Sequence, residues 1–257
     1  MKIKLSIIIV NWNTKDTVLN LIKSIKGLPF LYEIILIDNN SDLKSSYLED
    51  PHIKFIKNDQ NIYFAKAMNQ GVKKARGEYI MLLGSDTEII DHAIEKLVNF
   101  LDECLDPKDL DPKDLDPKDL NPKRNYQIVA PQLINKDHSI QKSCRKFPSF
   151  YNILFNDYKL KNWDHRDSRE VDQPQATCIL IRSSVIAQYG LFDERFPLYF
   201  NDVDFFRKMK KNNIKTYYLN TAKVLHLYGE STKKLGVRRK ILLYKGYLQY
   251  LLKWGIL

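Results

Sequence analysis

Unbroken apolar runs, more than alternating ones, organise the first hundred positions of the chain. Leu5-Ser6-Ile7-Ile8-Ile9-Val10, Glu33-Ile34-Ile35-Leu36-Ile37 and Tyr79-Ile80-Met81-Leu82-Leu83 are of strand length and rich in β-branched residues. That is the pattern of strands covered on both faces. Val18, Leu21, Ile22 and Ile25 recur at helical spacing over 17–25, and Gly27 and Pro29 end that helix. Ile53-Lys54-Phe55-Ile56 reads as a short third strand, 65–75 has helical composition, and a further helix is predicted from Ala93 to about Leu105. Strands alternating with helices in this order predict a mainly parallel sheet with right-handed crossovers, an α/β class fold.

The second half is less regular. Residues 106–123 read DPKDL three times and then NPK. A proline every fifth residue removes backbone donors, and one leucine per unit leaves little to bury, so this segment reads as a solvated, flexible insertion. Beyond it, 128–130, 176–181, 216–219 and 222–225 are predicted strands. Ser183 can cap a short helix through Tyr189, and the run 196–206 leads into a helix that ends near Asn212-Asn213. The organisation expected is a single α/β domain over 1–231, with 106–123 as the insertion and 232–257 as a basic amphipathic helix. Ile241, Tyr244, Leu248 and Leu251 form one helical stripe there, among lysines and arginines beside Tyr and Trp. Such a helix either lies on an anionic membrane surface or docks on the domain with its cations in water.

A chain of 257 residues that is 44% hydrophobic can bury a large core. The net charge of +10 points to an anionic partner, which charge alone leaves as nucleic acid, a phosphorylated small molecule or a membrane. A nucleic-acid binder predicts basic residues and aromatics interleaved on a platform, yet much of the basic excess lies in the tail, and this argues against nucleic acid. Cys104, Cys144 and Cys178 are odd in number and widely spaced, and read as reduced thiols. The apolar run after Met1 stops at Asn11, too short for a signal-peptide core or a span. The expected location is cytoplasmic, or peripheral on the cytoplasmic face of the inner membrane.

Polar residues at the ends of predicted strands carry the candidate chemistry, because ligands of open α/β sheets bind outside the carboxyl ends of the strands. Asp38 follows the second apolar run and Asp86 the Tyr79–Leu83 run; Asp202 and Asp204 precede a helix, and His226 ends the last strand. Each has a structural alternative. Asp38 can close an Asx-turn, Ser85, Asp86 or Thr87 can cap a helix, Asp202 and Asp204 can sit in a first helical turn, and a lone histidine is often just a satisfied one.

Six words in order carry a more specific signal: SIIIVNWNT at 6–14, IILIDNNS at 34–41, NIYFAKAMNQG at 61–71, YIMLLGSDTEI at 79–89, GLFDERFPLYFNDVDFFRK at 190–208 and HLYGES at 226–231. Together they resemble a family 2 glycosyltransferase of the GT-A fold, nearest to the rhamnosyltransferase-like branch of bacterial surface-polysaccharide synthesis. The resemblance implies a GT-A (Rossmann-like) mixed, mainly parallel sheet flanked by helices, with a C-terminal helical tail. It implies inverting transfer of a sugar from a dTDP-, UDP- or GDP-linked donor to a hydroxyl of a growing lipopolysaccharide, O-antigen or related, lipid-linked glycan. It implies Asp202 as catalytic base, with Asp204 orienting it or binding acceptor. Asn11, Asp38, Asn61, Asn69 and Asp86 are implied on the nucleotide sugar and Arg145 on the acceptor, with Mn²⁺ or Mg²⁺ held by Asp86 and His226. The chain departs from the family pattern at Gly84, where the Asp-x-Asp motif has its first carboxylate, and at Asn201, where the Glu-Asp-x-Asp word has glutamate. These departures keep a catalytically inactive, nucleotide-sugar-binding scaffold as the alternative. A sugar-1-phosphate nucleotidyltransferase fits less well, since NWNT stands where its glycine-rich phosphate loop would follow the first strand.

Overall fold

The computed structural model describes residues 2–25, 27–44, 50–104, 125–149, 160, 162–227 and 236–256. The DPKDL repeat and the end of HLYGES lie outside the described residues. The apolar runs become strands β1 (Leu5–Asn11), β2 (Tyr32–Asp38), β3 (Ile53–Lys57) and β4 (Tyr79–Gly84). Their pairings, β3 on β2, β2 on β1 and β1 on β4, are all parallel. Helices α1 (Lys15–Ser24) and α2 (Phe64–Val72) supply the first crossovers.

Every residue of β1 is buried, as a strand covered on both faces requires. Alternation across the pleat sends Ile7, Ile9, Leu36, Met81 and Leu83 into one core with Val18 and Leu21 of α1 and with Leu97 of α3 (Ala93–Glu103). Ile8, Val10, Ile35, Ile37, Ile80 and Leu82 enter a second core with Ala65 and Met68 of α2. Phe205 and Phe206 of α5 (Asn201–Lys211) join that second core. Helix α4 (Ser183–Tyr189) contributes Val185 on the same side.

The remaining strands are β5 (Thr87–Ile89), β6 (Tyr126–Ile134), β7 (Cys144–Arg145), β8 (Arg169–Val171), β9 (Gln173–Pro174), β10 (Cys178–Arg182) and β11 (Lys215–His226). The main sheet runs β3-β2-β1-β4-β10-β6-β11-β5, with β8 also on β11, while β7 and β9 form a separate ribbon. Strand β10 is antiparallel to β4 and β6, β6 and β11 are parallel, and β5 is antiparallel to β11. The sheet is therefore mixed and parallel in its first half.

Two local readings change. The predicted strands 216–219 and 222–225 are one strand, β11, interrupted by a register shift between Leu219 and Lys223. A bulge continues a strand that a break in hydrophobic pattern makes look like two. Residues Ser85 to Thr87 do not cap a helix: β5 comes first, and α3 begins only after His92, which takes the left-handed conformation at φ 54°.

Helix α6 (Val237–Lys253) packs on the segment that leads into α5. Tyr250 and Leu251 are buried with Phe196 and Val203. Gly246 allows the close approach, since a Cβ there would sit 3.0 Å from the Tyr199 carbonyl oxygen. The predicted stripe is thus divided. Leu251 faces the domain, while Ile241, Tyr244 and Leu248 are 61%, 71% and 53% exposed, together with Leu252. Among the described residues no helix is long and apolar enough to cross a membrane.

The edge of the sheet opposite the carboxyl ends is held by one buried acid. Glu33 accepts from Ser6 Oγ at 2.7 Å, Lys54 Nζ at 2.5 Å and the Arg76 backbone N–H at 2.8 Å, tying β1, β2, β3 and the approach to β4. Burial pushes its carboxyl up, but these hydrogen bonds outweigh it and hold the group below the ordinary glutamate range. A depressed carboxyl stabilises the fold above its unfolded pKa, near 4.3, and that contribution fades as pH falls through the folded value. Glu33→Gln is expected to lose about 2 kcal/mol at pH 7 in denaturant unfolding, the worth of a charge-assisted hydrogen bond, and less at pH 3. A gap between the two proteins that does not shrink at low pH would contradict the account.

Candidate active site

Register brings the sequence-predicted residues to one edge. Asn11 pairs with Asp38 across β1 and β2, and Val10 pairs with Gly84 across β1 and β4, so all these positions end at the same level. Asp86 lies just beyond. On the far side, antiparallel pairing of β11 with β5 sets His226 opposite Thr87, and the Leu227 N–H donates to the Asp86 carbonyl at 2.9 Å. Asp86 and His226 are neighbours because two strands remote in sequence share that register.

Asn11 and Asp38 form one hydrogen-bonded unit. The Asn11 amide donates to Asp38 Oδ1 and to Ser41 Oγ, each at 2.7 Å, and its Oδ1 accepts from Thr14 Oγ1 at 2.8 Å. Thr14 Oγ1 continues to Ser85 Oγ at 2.8 Å, which links the ends of β1, β2 and β4. Asp38 itself is fully buried, and its second oxygen accepts the Ser41 N–H at 3.0 Å. The Asx-turn role is therefore realised, and what the edge presents outward is the loop that Asp38 organises.

Asp86 and His226 are both largely buried, with His226 Nε2 3.7 Å from Asp86 Oδ1. That is too long for a hydrogen bond. Burial pushes the imidazole pKa down against the upward pull of Asp86, which favours the neutral, ligating form. The other ring nitrogen, Nδ1, meets Gln141 Oε1 at 2.8 Å. Gly84 bears on this site too, because a Cβ there would lie 3.2 Å from Asp86 Oδ1. Among the described residues no group of three His, Cys, Asp or Glu side chains converges as a metal cage. Asp86 and His226 could supply two ligands of a divalent ion. A carboxylate oxygen with a neutral imidazole nitrogen suits Mn²⁺ or Mg²⁺.

Asp202 reaches the same edge from α5. Its Oδ1 accepts the Val203 N–H at 2.9 Å, and its Oδ2 lies 3.5 Å from the Ala176 N–H. Ala176 adjoins Thr177, whose carbonyl accepts from the Gly84 N–H at 2.7 Å, so residues 176–177 connect Asp202 to the end of β4, two residues before Asp86. Burial raises the Asp202 carboxyl above the ordinary range, while the Arg145 charge acts in the opposite sense. Arg145, on β7, is thus brought close enough to be felt by Asp202. Phe200, just before α5, takes the left-handed conformation at φ 68°, a backbone state that non-glycine residues adopt at some cost.

Asp204 is engaged within the fold. It is fully buried, and accepts from Lys253 Nζ at 2.8 Å and from Trp254 Nε1 at 3.0 Å. It fastens α5 to the end of α6, so it fixes the helix bearing Asp202 from behind. Asn69 donates to the Phe192 carbonyl at 2.9 Å and accepts the Phe192 N–H at 3.1 Å, binding α2 to the loop before α5. Asn61 Oδ1 accepts the Tyr63 N–H at 2.8 Å in the turn that starts α2. Sequence reading missed Gln141, which lies in a polar stretch with no periodic pattern around it. It also missed Ser85, which takes part through Thr14.

The profile of Glycosyl transferase family 2 matches residues 6–106. A hexosyltransferase of low-salt glycan biosynthesis, Agl10 of Haloferax volcanii, is 22% identical over 86% of this chain and 66% of its own length. An N-acetylglucosaminyl-diphospho-decaprenol L-rhamnosyltransferase of Mycobacterium tuberculosis is 28% identical over 40% of this chain and 38% of its own length. The crystal structure of GalNAc-T7 with UDP, GalNAc and Mn²⁺ superposes with a TM-score of 0.60 at 17% identity, covering 88% of this chain and 44% of that one. The chain thus spans about two thirds or less of these relatives, 66%, 38% and 44% in turn. Residues 6–106 are thus similar to glycosyl transferase family 2, and the chain has the GT-A fold.

Proposed function

We propose that this chain is an inverting glycosyltransferase that moves a sugar from a nucleotide diphosphate to a hydroxyl of a surface glycan, carried on a lipid during assembly. The observation that carries the reading is the 3.7 Å approach of Asp86 to His226 at the strand edge that also receives Asp202. The loop organised by Asp38, and Asn11 beneath it, suits the nucleobase end of a donor lying along that edge. The named relatives act on hexosyl or rhamnosyl groups, and one of them acts on a decaprenol diphosphate, which supports the acceptor class.

In the proposed step the acceptor oxygen attacks the anomeric carbon from the face opposite the nucleotide. Its proton passes to the Asp202 carboxylate, and the carbon–oxygen bond to the diphosphate breaks with its electron pair leaving on the diphosphate oxygen. A divalent cation, when bound between Asp86 and His226, would supply positive charge to the departing diphosphate. Arg145 is suited to hold an acceptor oxygen or anion close to Asp202.

A base acts only when deprotonated, and burial raises Asp202, so the acid limb of kcat/KM should lie above the ordinary aspartate value near 4. Asp202→Asn keeps the shape and cannot take a proton. Turnover should fall ~10²–10⁴-fold with donor affinity little changed. Wild-type kcat in Asp202→Asn at saturating donor would place the base elsewhere.

For the cation, Asp86→Ala and His226→Ala should each weaken Mn²⁺-dependent binding of the nucleotide in calorimetry. Together they should lose less than the sum of the two, as residues sharing one partner do. Undiminished donor binding and turnover in excess EDTA would refute the shared ion.

Helix α6 gives a reading of where the acceptor is met. Its exposed Ile241, Tyr244, Leu248 and Leu252 are accompanied by exposed Arg238, Arg239, Lys240 and Lys245, and no acidic residue occurs from 231 onward. Apolar side chains ringed by cations match an anionic lipid surface. The protein should co-sediment with phosphatidylglycerol vesicles more than with phosphatidylcholine vesicles. Ile241→Asp combined with Tyr244→Asp should abolish that, and equal recovery of both proteins would count against the surface.

A further inference from the structure

Gln141 belongs to no word of the family pattern, yet its hydrogen bonds determine the state of His226. Its amide nitrogen donates to the His226 carbonyl at 2.8 Å and to Asn135 Oδ1 at 2.7 Å. A backbone carbonyl only accepts, so the side-chain amide cannot be turned over without setting two acceptors against each other. Asn135 is fixed in turn, with its Nδ2 donating to Ser139 Oγ at 2.8 Å and its backbone N–H to the Ser139 carbonyl at 2.9 Å. The Gln141 backbone N–H is held by the Leu133 carbonyl at 2.8 Å, which ties this hairpin to β6.

With both amide hydrogens directed to carbonyl oxygens, it is Gln141 Oε1 that stands 2.8 Å from His226 Nδ1. An amide oxygen can only accept. The ring proton therefore sits on Nδ1, and Nε2 turns its lone pair toward Asp86 Oδ1, 3.7 Å away. Two atoms each about 2.1 Å from a common ion can be up to about 4.2 Å apart, so the separation is within reach of one cation.

We propose that Gln141 is a positioning residue that locks His226 as the Nδ1–H tautomer, so that Nε2 is presented with Asp86 to a divalent cation. This rests on the metal reading above, and it adds the outer partner that orients a ligating histidine and makes the imidazole a better donor. Sequence distance concealed the pair: Gln141 and His226 are separated by 85 positions.

The test is made on the whole chain with ¹⁵N-labelled histidine. In the metal-free wild type, the His226 resonances should report a protonated Nδ1 and a bare Nε2. Gln141→Leu should give a mixture of tautomers and weaken Mn²⁺ binding about 10–100-fold, followed by the EPR signal of free Mn²⁺ with UDP, dTDP or GDP present. Gln141→Glu still offers an oxygen to Nδ1–H and should keep both the tautomer and most of the affinity. A wild-type His226 protonated on Nε2, or on both nitrogens, overturns the inference, as does undiminished Mn²⁺ binding by folded Gln141→Leu. The measurement on the wild type stands even if Gln141→Leu fails to fold. If His226 carries the expected tautomer and the wild type binds no Mn²⁺ with any nucleotide, the metal reading fails while the tautomer lock stands.

Discussion

The antiparallel pairing of β11 with β5 is the constraint on which the candidate site depends. Asp86 leaves the end of β4 in a direction set by the short β5, and β5 has nothing to pair with until β11 arrives from a position some 140 residues later in the chain. The pairing has three rungs, Ile89 to Val224, Glu88 to Leu225 and Thr87 to His226. A slip of one residue would turn His226 to the opposite face of the sheet, because side chains alternate along a strand. The bulge between Leu219 and Lys223 lies inside the same strand and resets its phase against β6 before His226 is reached. The burial of Val224 anchors the phase that results.

A second constraint comes from the opposite edge. Glu33 is buried where β1, β2 and the chain entering β4 begin, and its ligands include two backbone or side-chain donors that cannot move far, Ser6 Oγ and the Arg76 N–H. Fixing where parallel strands start also fixes where they finish, since their lengths are matched in register. Asn11, Asp38 and Gly84 are level at the carboxyl edge for this reason. The Asn11–Asp38 and Thr14–Ser85 bonds then close that edge with side chains. Asp38 is thus as much a part of the frame as a candidate for contact.

Much of the first half was legible in the sequence because each strand there is a continuous apolar run, and the physics of a doubly covered strand leaves few other readings. Asp86 and His226 were legible as strand-end residues, and the words around them added order. Their proximity was not legible, since it depends on β5, three residues long, and on a bulged β11 whose pattern breaks at Asn220. Asp204 was left between orienting Asp202 and binding acceptor for a related reason. Nothing local distinguishes an acid that faces a site from one that turns back to meet Lys253 and Trp254, residues about 50 positions away. Gln141 was invisible, as a polar residue in a polar stretch carries no period. Leu251 was grouped with Ile241, Tyr244 and Leu248 because helical spacing alone does not distinguish two adjoining apolar faces, and Tyr250 beside it marks the docked one.

The contacts of Asp204 give α6 more than a packing role. Lys253 bridges Asp204 and Asp193, which lies in the loop that Asn69 holds against α2, and Arg207 on α5 donates to the Tyr250 hydroxyl at 2.7 Å. Burial opposes the Asp193 charge, but hydrogen bonds led by Arg195 and including Lys253 pull its carboxyl well below the usual range. Helix α6, the 190–194 loop and the first turn of α5 are therefore one charged and hydrogen-bonded unit, built on the aromatic contacts of Phe200 with Tyr247 and Tyr250. Asp202 sits on that first turn, two residues from Asp204. Helix α6 thus has an outer face that is apolar and basic and an inner face fastened to the turn bearing the candidate base. Asp204 makes the joint rigid, because a buried carboxylate deprived of Lys253 would be left without its compensating charge.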